Sequence, residues 1–168
     1  MIIRVEQPED VEEIRQINRK AFGAEAEANL VDALRISGIP CISLVAEEGN
    51  SLIGHILFSP VTLDGDTAGV ALTGLAPMAV LPDWQKKGVG SMLVEEGLRF
   101  CRQAGYAAVV VLGHPEFYPR FGFVPSEYFG ITCEYDVPAE AFMMLELHDG
   151  ALEGCSGIIR FHRAFVDV

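Results

Sequence analysis

Apolar and polar positions change rhythm several times along the chain, and each change marks an element. Ile2, Ile3 and Val5 form a short opening strand, and Gln7-Pro8-Glu9-Asp10 turns it into a helix on which Val11, Ile14, Ile17 and Phe22 recur at helical spacing. A second helix, Glu25 to Ile36, carries Leu30, Val31 and Leu34 until Ser37-Gly38-Ile39-Pro40 ends it. Strand-like runs follow at Ile42 to Ala46, Leu52 to Leu63 and Val70 to Leu81, separated by turns at Glu48-Gly49-Asn50-Ser51 and Asp64-Gly65-Asp66. They read as a three-strand antiparallel meander. From Gly88 to Ala104 the period returns to helical, with Val89, Met92, Leu93 and Phe100 on one stripe. Tyr106 to Leu112 is apolar without alternation, as in a strand buried on both faces. Gly113-His114-Pro115 opens a further short helical segment, and Phe123 to Pro125, Ala141 to Leu147 and Gly157 to Phe165 are the remaining strand candidates. The order β-α-α-β-β-β-α-β-α-β-β predicts an α+β domain. Its sheet is mixed and mostly antiparallel, and the helix from Gly88 to Ala104 is the crossover between two parallel strands. Residues 1–168 read as one domain, with 150–168 as a C-terminal extension.

Composition narrows the function. Half of the 168 residues are hydrophobic, enough for a substantial core. With 24 Asp and Glu against 12 Lys and Arg, the net charge of −12 disfavours nucleic acid or an anionic membrane as a partner. No apolar run reaches the roughly 20 residues of a transmembrane span. The N-terminus lacks the basic and apolar regions of a secretory signal, so a cytoplasmic location is expected. Cys41, Cys101, Cys133 and Cys155 are scattered, without a C-x-x-C pair, and read as reduced thiols. His55, His114, His148 and His162 form no ligand-spaced pair, so no metal is expected.

The chemistry concentrates in Met78-Ala79-Val80-Leu81-Pro82-Asp83-Trp84-Gln85-Lys86-Lys87-Gly88-Val89-Gly90-Ser91, which passes from strand through a turn into a helix. Amides at a helix start are unpaired and carry partial positive charge, and glycines there let an anion approach the backbone. Lys86 and Lys87 make this point locally basic in an acidic chain. The segment lacks the Lys of a G-x-x-x-x-G-K-[ST] loop and the third glycine of G-x-G-x-x-G, where Leu93 stands.

Gln85-Lys86-Lys87-Gly88-Val89-Gly90 matches instead the Q/R-x-x-G-x-G/A signature of the GNAT superfamily of N-acetyltransferases, five residues after the strand residue Val80. The resemblance extends through Phe58-Ser59-Pro60-Val61, Gly105-Tyr106-Ala107-Ala108-Val109-Val110 and Tyr118-Pro119-Arg120-Phe121-Gly122-Phe123, and looks closest to the YhbS-like branch. It implies a GNAT fold with helices on both faces of the sheet. It also implies acetyl-CoA as co-substrate, held where the strands Val70 to Leu81 and Tyr106 to Leu112 splay apart. Pro77, which cannot donate to a ladder, is an independent hint of that splay.

By position, the resemblance assigns the Met78 amide to the acetyl carbonyl, the backbone of Met78, Ala79 and Val80 to the pantetheine arm, and Gln85, Lys86, Lys87, Gly88, Val89, Gly90 and Ser91 to the pyrophosphate. His114 falls where the family often contacts the cofactor, and Tyr118 aligns with the tyrosine that protonates the leaving thiolate. The family's glutamate base would fall at Gly74, and no Asp or Glu occurs from Thr67 to Pro82. Glu27 and His55 are the candidates for substrate binding or proton removal, and Glu25 with Glu27 suits a cationic amine. The reading is an N-acetyltransferase acting on a primary amine, with an acyl-CoA-binding regulatory module as the alternative and a homodimer through the C-terminal strands.

Overall fold

The computed structural model describes residues 1–168, apart from the side chain of Asp167. Strand β1 (Ile2–Val5) leads through a 3-10 turn into α1 (Val11–Phe22) and α2 (Ala26–Ser37). Then come β2 (Ile42–Glu48), β3 (Ser51–Asp66), β4 (Leu72–Val80), α3 (Val89–Gln103) and β5 (Ala108–Leu112). Four short strands complete the order: β6 (Val124–Pro125), β7 (Ile131–Cys133), β8 (Phe142–Glu146) and β9 (Ser156–Arg160). Packing groups the chain into two compact units: Met1–Ser59, Ala76–Arg99 and Arg163–Val168, and separately Pro60–Leu75 with Phe100–His162.

In the first unit the strand order is β1-β2-β3-β4, with β1 and β3 antiparallel to β2. Ala46 faces Gly54 and Glu47 faces Leu52, so Ile53 is an extra residue in β3. The bulge restores the alternation that the core needs. Leu52 and Leu57 pack with Ile14, Ile17, Leu30 and Leu34 of α1 and α2. Gly54 turns the other way, where a Cβ would lie 3.0 Å from Leu93 and 3.1 Å from Val89 of α3. Helices therefore cover both faces of this part of the sheet, as the resemblance implied. α1 is further favoured by acids in its first turn (Glu12, Glu13) and bases in its last (Arg19, Lys20), which complement the helix dipole.

In the second unit β4 pairs in parallel with β5, from Leu72 opposite Ala108 to Gly74 opposite Val110, and β5 continues antiparallel to β8 and β8 to β6. The ladder stops there, although β4 runs on to Val80 and β5 to Leu112. From Leu75 onward β4 alternates buried residues (Leu75, Pro77, Ala79) with half-buried ones (Ala76, Met78, Val80). The far half of β3 pairs with β9, and β9 in parallel with β7, over a core including Val61, Ile131, Phe142 and Ile159.

Three expectations are corrected, and one strand was not foreseen. Asp64-Gly65-Asp66 is strand rather than turn, because Gly65 sits opposite Gly157 and a Cβ on either would collide with the other strand's backbone. The helical segment after Gly113 is only a 3-10 turn, Tyr118–Phe121, since Pro119 removes a donor and the chain reverses at Gly122. The stretch Ile131–Cys133 is a strand too short to show periodicity. The terminal strand begins at Ser156 and ends at Arg160, rather than running on to Phe165.

Candidate active site

The mouth of α3 is built from backbone. The first hydrogen bond of the helix runs from the Met92 amide to the Gly88 carbonyl, at 3.1 Å. The amides of Val89, Gly90 and Ser91 precede it and have no acceptor within the helix. Lys86 and Gly88 both have positive φ, 63° and 87°, in the turn that leads into these amides. A Cβ built on Gly88 would meet nothing within 4 Å, so open space lies over the turn. The Gln85 side chain donates to the Val80 carbonyl at 3.0 Å and ties the turn to the end of β4. That brace was missed in the sequence, where Gln85 counted only as a motif letter five residues after Val80. Lys87 holds its ammonium over the Trp84 ring, 5.4 Å from the centroid, and Lys86 is exposed. Leu81, Pro82, Asp83 and Trp84 line an adjoining groove with Lys20, of about 380 Å³. Unpaired amides, two lysines and free space fit a pyrophosphate.

Tyr118 is built the opposite way, from packed side chains. Its residue is 6 % exposed, and its ring meets Phe117 and Phe123 edge-on at 5.0 and 5.6 Å. A Cβ on Gly113 would come within 2.5 Å of the Tyr118 ring, so only glycine permits this seat. Burial pushes the phenol up to about 12, which keeps it protonated throughout the neutral range.

The other predicted residues are dispersed. His114 is on the surface, its side chain 83 % exposed and 4.0 Å from Glu116. Glu27 is half-buried in the first turn of α2, next to Glu25, which pairs with Arg15 and Arg19. His55 is fully buried, so it presents no surface to an acceptor. Its Nε2 lies 2.9 Å from Ser43 Oγ, which in turn donates to Glu6 at 2.6 Å. A carboxylate can only accept, so Ser43 spends its proton on Glu6 and His55 carries its own on Nε2. Nδ1 then accepts from the Asn18 amide at 3.3 Å. A second proton would point at that amide, and burial drives the His55 pKa down to about 4 against the opposing pull of Glu6. Glu6 itself is pushed up by burial, but hydrogen bonds from Arg35 and Ser43 outweigh this and leave its pKa lowered. Among the described residues no cluster of three His, Cys, Asp or Glu could hold a metal, and no helix is long and apolar enough to cross a membrane.

Comparison with known proteins places the chain in a family. The family model for the acetyltransferase (GNAT) domain matches residues 40–125, which contain β4, the mouth of α3 and Tyr118. The chain belongs to the GNAT acetyltransferase family. Over 166 residues it is 39 % identical to the N-acetyltransferase YhbS of Escherichia coli K12, covering 98 % of both chains. It superposes on the crystal structure of E. coli YhbS in complex with CoA with a TM-score of 0.90 at 38 % identity, covering 98 % of this chain and 91 % of that one. A GNAT family acetyltransferase from Brucella melitensis in complex with acetyl-CoA is 35 % identical with a TM-score of 0.78, covering 98 % and 97 %.

Proposed function

We propose that this chain is a cytoplasmic, acetyl-CoA-dependent N-acetyltransferase that moves the acetyl group directly to a primary amine. The open anion cradle at the mouth of α3 carries the reading: unpaired amides at Val89, Gly90 and Ser91 beside a glycine whose Cβ position is empty. The CoA and acetyl-CoA bound by the two similar proteins support it.

Acetyl-CoA supplies an activated thioester. The amides from Gln85 to Ser91 hold its pyrophosphate, with Lys86 and Lys87 as point charges, and the backbone of Met78, Ala79 and Val80 takes the pantetheine arm. The Met78 N–H donates to the carbonyl oxygen as charge builds on it. Tyr118 donates to the departing sulfur. A phenol near 12 is a weaker acid than a thiol of about 8.5, so Tyr118 acts first as a hydrogen-bond donor and parts with its proton only as the C–S bond breaks.

Calorimetric titration with acetyl-CoA, CoA and ATP tests the cradle. Saturable binding of the first two with none of ATP is expected, and absence of acetyl-CoA binding refutes the reading. The apolar surroundings of Gly74 favour one rival, a regulatory module that binds acyl-CoA and transfers nothing. Thiol release in the presence of any amine excludes it.

A further inference from the structure

The walls around Gly74 bear on which amine is used, given the transferase reading above. Strand β4 carries no titratable side chain from Leu72 to Val80. At Gly74 the space a side chain would take is closed by apolar groups from three directions. A Cβ there would lie 3.0 Å from Val61, 3.3 Å from Phe161 and 3.4 Å from Val110. Phe161 is held in turn by Tyr135, stacked at 5.8 Å, and by Phe142, edge-on at 6.3 Å.

Among the described residues, the titratable groups named beside this aromatic wall are few. Tyr135 has its phenol raised by burial and by Glu134. Glu134 accepts the Phe161 amide at 2.6 Å, so one carboxylate oxygen is committed to the backbone. Cys133 has its thiol raised by burial, and His162 follows Phe161 in the chain.

Proton balance then restricts the acceptor. A neutral amine forms the N–C bond as the C–S bond breaks; its nitrogen loses one proton, the sulfur gains one, and nothing is left over. An ammonium carries one proton more, which needs a base that this strand does not supply. We infer that the acceptor reaches the enzyme already uncharged, so that its substrates are weakly basic primary amines such as α-amino groups rather than lysine-type side chains. At about pH 7.4 roughly a quarter of an α-amino group is neutral, against about one part in a thousand of a lysine ε-amine.

The test follows thiol release from acetyl-CoA with two probes, alanyl-alanine and Nα-acetyl-lysine amide, from about pH 6.5 to 9.5, alongside acetyl-CoA calorimetry. At about pH 7.4 kcat/KM for the dipeptide should exceed that for the lysine probe by about 100-fold. The dipeptide profile should level off near its own amine pKa, while the lysine profile is still rising at the top of the range. Glu134→Gln and His162→Gln should leave both profiles unmoved. The inference is overturned by a bend at one pH shared by both probes, by loss of the bend in either variant, or by the lysine probe reacting faster. Binding of acetyl-CoA without turnover of either probe overturns it while leaving the cradle standing; failure to bind acetyl-CoA removes the transferase reading, and this inference falls with it.

Discussion

The mouth of α3 and the seat of Tyr118 each depend on a glycine, for opposite reasons. Gly88 has empty space where its Cβ would be and needs glycine for its φ of 87°, whereas a Cβ on Gly113 would come within 2.5 Å of the Tyr118 ring. In the proposed reading one region recognises with exposed backbone and the other places a single hydroxyl with packed rings. The first should therefore tolerate most side-chain changes but not a new charge or a stiffer backbone, and the second should tolerate almost no change in volume.

The largest expected effect separates the two directly. Tyr118→Phe keeps the ring and its contacts with Phe117 and Phe123 but removes the proposed proton donor. Turnover should fall by about 10² to 10³, within the range for general acid catalysis, with acetyl-CoA affinity unchanged. Steady-state kinetics paired with calorimetry reads both, and equal losses in the two would show that Tyr118 is a binding residue. The converse is Gly88→Glu, which puts a carboxylate into the space proposed for phosphate on a backbone that disfavours it. Affinity for acetyl-CoA should drop by about 100-fold, or about 3 kcal/mol, while thermal unfolding shifts little.

How legible each region was follows from the same contrast. The cradle could be read in sequence because backbone recognition leaves a compact trace: Gln85, Gly88 and Gly90 at fixed spacing between strand and helix. The two long amphipathic helices were legible because their apolar stripes repeat over several turns, and α1 and α3 were placed within a residue at each end. Tyr118 was legible only through resemblance, since nothing in Tyr118-Pro119-Arg120-Phe121 announces that the ring is buried. Least legible was His55, whose partners Ser43 and Asn18 lie 12 and 37 residues away in the chain and come together only when β2, β3 and α1 pack. Strand β7 was hidden because three residues cannot display a period.

The buried network around His55 is a third kind of environment, with neither the open backbone at the mouth of α3 nor the proposed donor hydroxyl of the tyrosine seat. Its folded pKa of about 4 lies below the unfolded 6.5, so between these values the unfolded chain binds a proton that the native one refuses. Stability is therefore full above about pH 6.5 and falls as the solution is acidified. Between about pH 7 and 4.5 the loss from this group should be about 2 kcal/mol. Urea unfolding across that range should show His55→Gln, which keeps a donor and an acceptor but cannot titrate, losing clearly less than the parent. Parallel losses would place the acid sensitivity elsewhere.

The smallest effect probes how far charge, rather than backbone, carries the cradle. Lys86 is exposed and its ammonium acts through water, so Lys86→Ala should weaken acetyl-CoA binding only about threefold to tenfold, and less as salt rises. The substitution also forces alanine to adopt the positive φ of 63° that Lys86 already takes, so it adds no new class of strain. Lys87, with its ammonium over Trp84, should show a similar loss with a weaker salt dependence, because the ring fixes the charge near the turn. If either single change abolished binding at physiological ionic strength, the unpaired amides of Val89, Gly90 and Ser91 would not be the main anion donors. The contrast between a backbone site and a side-chain site would then dissolve.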